Sequence, residues 1–238
     1  MLFVKQLFRE NPFYFGAFFL LLVVAAILLL MIEQGDAIFF FSEHRHPLLD
    51  RFFRLGTRLG EEPADLVVLA GLLLWRYRYA LMIPFIGLGV TILSALTKAL
   101  FRHNRPAAYF REIDLLDQIN LVEGVIVHQG ATSFPSGHTM SAFALFTYLA
   151  LCLPRKAGTA LIVLLLAVEV GISRIYLVQH FLKDIFLGAI LGVLVGALFY
   201  YWQMRLSSER FPWLDRSLLR RRGGKGSSLP VAQAERET

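Results

Sequence analysis

Hydrophobic positions along this chain fall into long unbroken runs rather than into one stripe per helical turn. Residues 13–32 are apolar and free of charge, and about 20 such residues cross a hydrocarbon core as a helix. Further runs cover 66–75, 80–100, 139–153, 157–172 and 181–202. The run at 66–75 is short, so its helix is expected to begin inside the preceding loop or to reach residue 77. Six runs of this kind predict an all-α, six-span transmembrane bundle. A cleaved signal peptide is the rival reading of the first run, but its apolar region would be about 7–15 residues long and end in small residues. The polar connections are unequal. Residues 101–137 form the largest, and 33–65 are mixed in charge. Within the latter, PLLDRFFRLGTRLG sets Leu48, Leu49, Phe52, Phe53, Leu55 and Leu59 largely on one helical face, with Asp50, Arg51, Arg54 and Arg58 among them. That pattern predicts a short amphipathic helix lying at the membrane surface.

Composition agrees with the runs. The chain is 56% hydrophobic and 18% charged, too apolar for an ordinary soluble domain. Its net charge of +6 is no nucleic-acid signal: from Gln203 onward stand eight Lys/Arg against four Asp/Glu. If all six runs cross, Lys5/Arg9, Arg76/Arg78, Arg155/Lys156 and the basic tail share one side, which the positive-inside bias assigns to the cytoplasm. Both termini are then cytoplasmic in an inner (plasma) membrane. Loops 33–65, 101–137 and 173–180 face the periplasmic or extracytoplasmic side. The division expected is a six-span membrane domain over 1–204 and a basic, then Gly/Ser-rich, disordered tail over 205–238. The lone Cys152 lies in an apolar run and reads as a core residue.

Three polar clusters gather on that extracytoplasmic side. In SRIYLVQHFLKD, Ser173 to Asp184, His180 and Asp184 are four apart, which puts them on one face if a helix starts near His180. A carboxylate bonded to one ring nitrogen leaves the other free as acceptor or nucleophile. Arg174, on the same connection, offers a planar fork that suits phosphate oxygens. Lys98 and Arg105-Pro106 are seven apart at the end of the third run, and proline disfavours helix at Arg105. Two such cations could also simply snorkel to the interface. Phe134-Pro135-Ser136-Gly137-His138 precedes an apolar helix. Ser136 can cap it, Gly137 permits close approach of a ligand, and the free N–H groups of a helix start favour an anion. A plain capped helix start is the alternative.

These motifs, Lys98–Pro106, Pro135–His138 and Ser173–Asp184, stand as K-x6-R-P, P-S-G-H and S-R-x5-H-x3-D. In them the chain resembles the type 2 phosphatidic acid phosphatase superfamily, with every defining position matched. The resemblance implies an integral membrane phosphatase acting on a lipid phosphate or pyrophosphate, such as phosphatidic acid, phosphatidylglycerophosphate or undecaprenyl pyrophosphate. It implies that His180 attacks phosphorus to form a phosphohistidine, oriented by Asp184. His138 would protonate the leaving oxygen and then help activate water. Lys98, Arg105, Arg174, Ser136 and Gly137 would hold the phosphoryl group, and no metal or other cofactor is needed. A lipid phosphotransferase using the same phosphohistidine is the alternative. A transporter would spread its charges through the membrane depth. A vanadate-dependent oxidase would be soluble.

Three further features lie outside the motifs. Glu169, inside the fifth run, is expected to brace a cation of the site. Gly188, Gly192 and Gly196 form a GxxxGxxxG ridge that packs within the bundle or, alternatively, joins a homodimer. His44 and His46 read as a solvated turn rather than a metal site.

Overall fold

The structure, a computed structural model, describes residues 2–154 and 156–219. Arg155 of the basic turn and the Gly/Ser-rich end of the tail lie outside them. Eleven α-helices and no strand occur among the described residues: α1 Leu2–Glu10, α2 Pro12–Met31, α3 Asp36–Glu43, α4 Pro47–Gly56, α5 Glu62–Trp75, α6 Tyr77–Ala80, α7 Met82–Phe101, α8 Pro106–Glu112, α9 Gly137–Cys152, α10 Ala157–Tyr176 and α11 Leu182–Met204. Single 3₁₀ turns follow α4 (Thr57–Gly60), α8 (Leu116–Gln118) and α11 (Pro212–Asp215).

Four stretches among the described residues are long and apolar enough to cross a membrane: α2, α10, α11 and the stretch Tyr77–Glu112 that contains α7. Helices α9, with 16 residues, and α5, with 14, are shorter. At about 1.5 Å per residue, α5 falls short of a hydrocarbon core of about 30 Å. Its helix does begin within the preceding loop, at Glu62, where two acidic side chains in the first turn complement the helix dipole.

Helix α9 is the axis of the molecule. Eleven of its 16 residues are buried. It joins two apolar clusters, one shared with α2, α10 and α11 and the other with α5, α7 and α11. Apolar burial gains little in lipid, so close van der Waals contact must hold such helices together. The glycine ridge supplies it. A Cβ on Gly188 would come within 2.9 Å of the Ser136 carbonyl oxygen, and one on Gly192 within 2.5 Å of the Met140 carbonyl oxygen. All three ridge glycines are buried against α9, so the ridge is used inside the bundle. The alternative of a homodimer through Gly188, Gly192 and Gly196 finds no support, since these glycines already pack against α9.

Polar locks fix the end of the bundle away from the clusters. Asn11 caps α2 and also donates from Nδ2 to the Ala150 carbonyl at 2.9 Å, while Tyr14 and Thr147 hydroxyls meet at 2.8 Å. Arg78 is no surface charge. It is buried, and it donates to both Asp215 oxygens, to the carbonyls of Gln203 and Leu206, and to Ser208 Oγ. Residues 206–219 thus fold back onto α5 and α6, with Leu218 N–H donating to the Leu73 carbonyl and Leu214 buried. The ordered chain therefore runs past 204, the boundary expected for the membrane domain.

Candidate active site

The three clusters meet at the opposite end, around the start of α9. Helix α10 runs further than its apolar run. It takes in Ser173 and Arg174 in its last turns and stops at Tyr176, after which Val178 adopts φ 58°. The carbonyl of Arg174 then accepts two N–H groups, from Gln179 at 2.9 Å and His180 at 3.1 Å. Arg174 is therefore helical rather than part of a loose connection. His180 sits outside any helix, because α11 begins at Leu182 with Phe181 as its N-cap.

The His180–Asp184 contact forms all the same, through the cap rather than a shared helical face. Asp184 Oδ2 accepts from the Phe181 N–H at 2.9 Å and from Ser133 Oγ at 2.5 Å, and lies 3.3 Å from His180 Nδ1. Ser133 Oγ is also 3.4 Å from Nδ1. This ties up Nδ1 and leaves Nε2 of His180 unengaged among the described residues. Burial pushes the His180 imidazole down to about 4; the Asp184 hydrogen bond opposes that and the nearby Arg174 charge assists it. The ring is therefore neutral near pH 7, with an electron pair on nitrogen.

Ser136 caps α9 as its position predicts, its Oγ accepting from the Thr139 N–H at 3.4 Å. Its own N–H donates to the Asp184 carbonyl at 3.1 Å and so pins the start of α9 to the start of α11. Lys98 reaches the same corner from α7: a Cβ on Gly137 would lie 3.6 Å from its Nζ. Arg105 stands just past α7 with extended backbone, at the N-cap of α8 before Pro106. It donates from Nη1 to the Gln179 carbonyl at 3.4 Å and from Nε to Thr132 Oγ1 at 3.3 Å. Arg174 is 6% exposed and donates from Nη1 to Thr57 Oγ1 at 2.8 Å, while its Nε has no partner. Lys98, Arg105, Arg174 and His180 all lie within electrostatic reach of His138. Three cations and two imidazoles thus converge around the free N–H groups of one helix start, an arrangement that can grip a tetrahedral anion.

Three participants escaped the motif reading. Ser133 lies three residues before Ser136, and Thr57 and Glu61 come from the 33–65 segment. Glu61 Oε1 is 3.6 Å from His138 Nε2. Glu169 is not one of the participants. Its carboxylate lies over Gly56, where any side chain would collide with it, and neither oxygen has a hydrogen-bond partner. The expected brace to an active-site cation is absent, because the last turns of α10 point Arg174 at Thr57 instead. His44 and His46 serve backbone turns, toward the Phe40 carbonyl and the Leu48 N–H. Among the described residues no three His, Cys, Asp or Glu side chains are gathered as a metal cage.

A cleft of about 790 Å³ opens beside His138 between α5 and α7. Its walls carry Pro84, Leu88 and Val90 together with Glu61, Lys98 and Gly137.

Residues 73–208 match the PAP2 superfamily. Over 78 residues the chain is 38% identical to Phosphatidylglycerophosphatase B of Bacillus subtilis, covering 29% of this chain and 38% of that one. Over 98 residues it is 33% identical to the Lipid A 4'-phosphatase of Bacteroides thetaiotaomicron, covering 41% of this chain and 42% of that one. The matched stretches thus span less than half the length of these relatives. Among solved structures, Aquifex aeolicus LpxE superposes with a TM-score of 0.60 at 30% identity, over 71% of this chain and 94% of that one. The PAP2 type phosphatidylglycerolphosphate phosphatase from Bacillus subtilis gives 0.57 at 26% identity, over 87% and 98%. The chain belongs to the PAP2 superfamily.

Proposed function

We propose that this member of the PAP2 superfamily is an integral membrane lipid phosphatase that hydrolyses a lipid phosphate or pyrophosphate through a phosphohistidine. The observation that carries the reading is the convergence of Lys98, Arg105, Arg174 and His138 around His180, whose Nδ1 is held by Asp184. His180 Nε2 attacks phosphorus. The N–P bond forms as the P–O bond to the lipid breaks, and His138 gives its proton to the leaving oxygen. Water then attacks the phosphohistidine, His138 takes the water proton, and the N–P bond breaks to release inorganic phosphate. The three cations, with Ser136 and Gly137, neutralise the equatorial oxygens, a charge-stabilising task that a metal ion performs in other phosphoryl-transfer enzymes.

In this reading the six apolar stretches cross the inner membrane with both termini cytoplasmic and the site facing the periplasm. The short helices α5 and α9 reach the membrane's edge next to the site, and the cleft admits a head group whose tails stay in lipid. The decisive experiment is phosphate release by the purified protein from phosphatidic acid in detergent micelles, with and without EDTA, coupled to trapping of acid-labile phosphate from a labelled substrate. Release that needs EDTA-sensitive metal, or no phosphoenzyme on rapid quenching, overturns the mechanism. Repeating it with an acceptor lipid separates hydrolysis from transfer, since a transferase releases less inorganic phosphate when the acceptor is present.

A further inference from the structure

His138 has two ring nitrogens and one carboxylate. Nε2 lies 3.6 Å from Glu61 Oε1, and Nδ1 makes no hydrogen bond among the described residues. Glu61 stands at the N-cap of α5, on an element separate from every motif. The other charges that act on the His138 ring are all positive or imidazole: Lys98 from α7, Arg105 from the α7–α8 connection, Arg174 from α10 and His180 from the α10–α11 connection. Among the described residues Glu61 is the acidic group at ion-pair distance from this ring, and it also acts on Arg174, while Glu62 and Asp65 line the same cleft without an ion-pair contact to His138. It lines the cleft together with His138.

Resting on the proposed phosphatase reading, we propose that Glu61 is a positioning residue that sets the leaving-group side of the site for a neutral alcohol. Its carboxylate, at ion-pair distance from Nε2 of His138, favours the doubly protonated ring, whose Nδ1–H is then given to the leaving oxygen. A proton on an imidazole ringed by cations is disfavoured, and a carboxylate on the far nitrogen offsets that cost. The same carboxylate works against a leaving group that is itself a phosphate. When a pyrophosphate is cleaved, the departing lipid monophosphate is anionic and needs little protonation, and it would leave alongside Glu61. A phosphomonoester releases an uncharged hydroxyl that requires the proton. The substrate class that follows is a lipid phosphomonoester rather than a lipid pyrophosphate.

The test compares wild type with Glu61→Gln on three substrates: phosphatidic acid, a polyprenyl pyrophosphate and p-nitrophenyl phosphate, whose leaving group departs with little help. Wild type is expected to turn over the monoester lipid faster than the pyrophosphate. In Glu61→Gln, kcat for phosphatidic acid is expected to fall about 10-fold, part of the roughly 10²–10⁴-fold that a general acid contributes. The p-nitrophenyl phosphate rate should change less than about 3-fold on the same grounds. The ratio of monoester to pyrophosphate turnover should fall accordingly. Glu61→Asp should recover part of the loss, and Glu209→Gln, at the opposite end of the bundle, should leave the ratios unchanged. An equal fall on all three substrates would reduce Glu61 to a structural residue, and unchanged kinetics would overturn the proposal. A wild type that prefers the pyrophosphate would overturn the substrate class alone. A wild type that releases phosphate from none of the lipids would instead remove the phosphatase reading itself.

Discussion

The two imidazole–carboxylate pairs of the site sit at opposite extremes of solvent contact. The His180 and Asp184 side chains are 2% and 0% exposed, whereas those of His138 and Glu61 are 34% and 39% exposed. The first pair is built into the backbone. His180 is tied to the Arg174 carbonyl, and Asp184 to the Phe181 N–H and Ser133. The second joins two helix starts, α9 and α5, through one contact at ion-pair distance. The difference teaches which task each can perform. A nucleophile must stay neutral and aimed, which burial and fixed donors supply. A proton donor must meet leaving groups of varied shape, and His138, proposed for that task, stands on the wall of the cleft.

The sharpest way to break this contrast is to delete the buried imidazole. His180→Ala is expected to reduce phosphate release from phosphatidic acid by about 10³-fold or more, to background, on every substrate alike, since the nucleophile of a catalytic unit is not replaced by its neighbours. Retained turnover would remove His180 as nucleophile. His138→Ala should be substrate-dependent, losing about 10²-fold on phosphatidic acid and much less on p-nitrophenyl phosphate, as expected of a general acid. Equal losses on both would erase the distinction between the pairs.

Acid pH tests the buried imidazole. In the proposed mechanism His180 acts as the neutral nucleophile, and burial pushes its ring down to about 4, so activity is expected to hold through mild acid and to fall as pH drops through about 4. The folded value lies below the ordinary histidine value, so protonation also favours unfolding, and stability declines between about 6.5 and 4. A kcat/KM profile on p-nitrophenyl phosphate that breaks near 6.5 instead would mean an open, ordinary imidazole. Ser133→Ala sharpens the contrast further. It removes one donor to Asp184 Oδ2 while the Phe181 N–H remains, for a loss of about 10-fold in kcat, or about 1.4 kcal/mol. The smallest effect on chemistry is expected from Gly192→Ala. It crowds α9 against α11 and costs about 1–3 kcal/mol of stability, read as a lower melting temperature in detergent, with turnover per folded molecule little changed.

Legibility in the sequence followed the same division. Lys98, Arg105, Ser136, His138, Arg174, His180 and Asp184 could be found because each lies at a fixed spacing near the end of an apolar run. The helices α2, α7, α10 and α11 were legible because long uncharged runs have few other folds open to them. Thr57 and Glu61 were not, since the polar segment that bears them has no pattern of its own and reaches the site only through tertiary packing. The extent of α10 was misjudged by reading apolarity as helix length. The helix runs on through Arg174, whose guanidinium donates to Thr57, and stops at Tyr176, before Val178 turns to positive φ. Glu169 misled for a related reason. Sequence proximity to a cation says nothing of direction, and its carboxylate points to Gly56.

The doubly engaged carbonyl of Arg174 has a consequence for how such a site can change. One residue carries both the guanidinium proposed to grip the anion and the carbonyl that anchors the N–H of the proposed nucleophile, so neither can be retuned without shifting the other. Lys98 and Arg105 hang on separate supports, α7 and the turn after it. Adaptation to a head group of different bulk would therefore have to enter through those two arms, with the α10–α11 bend inherited intact.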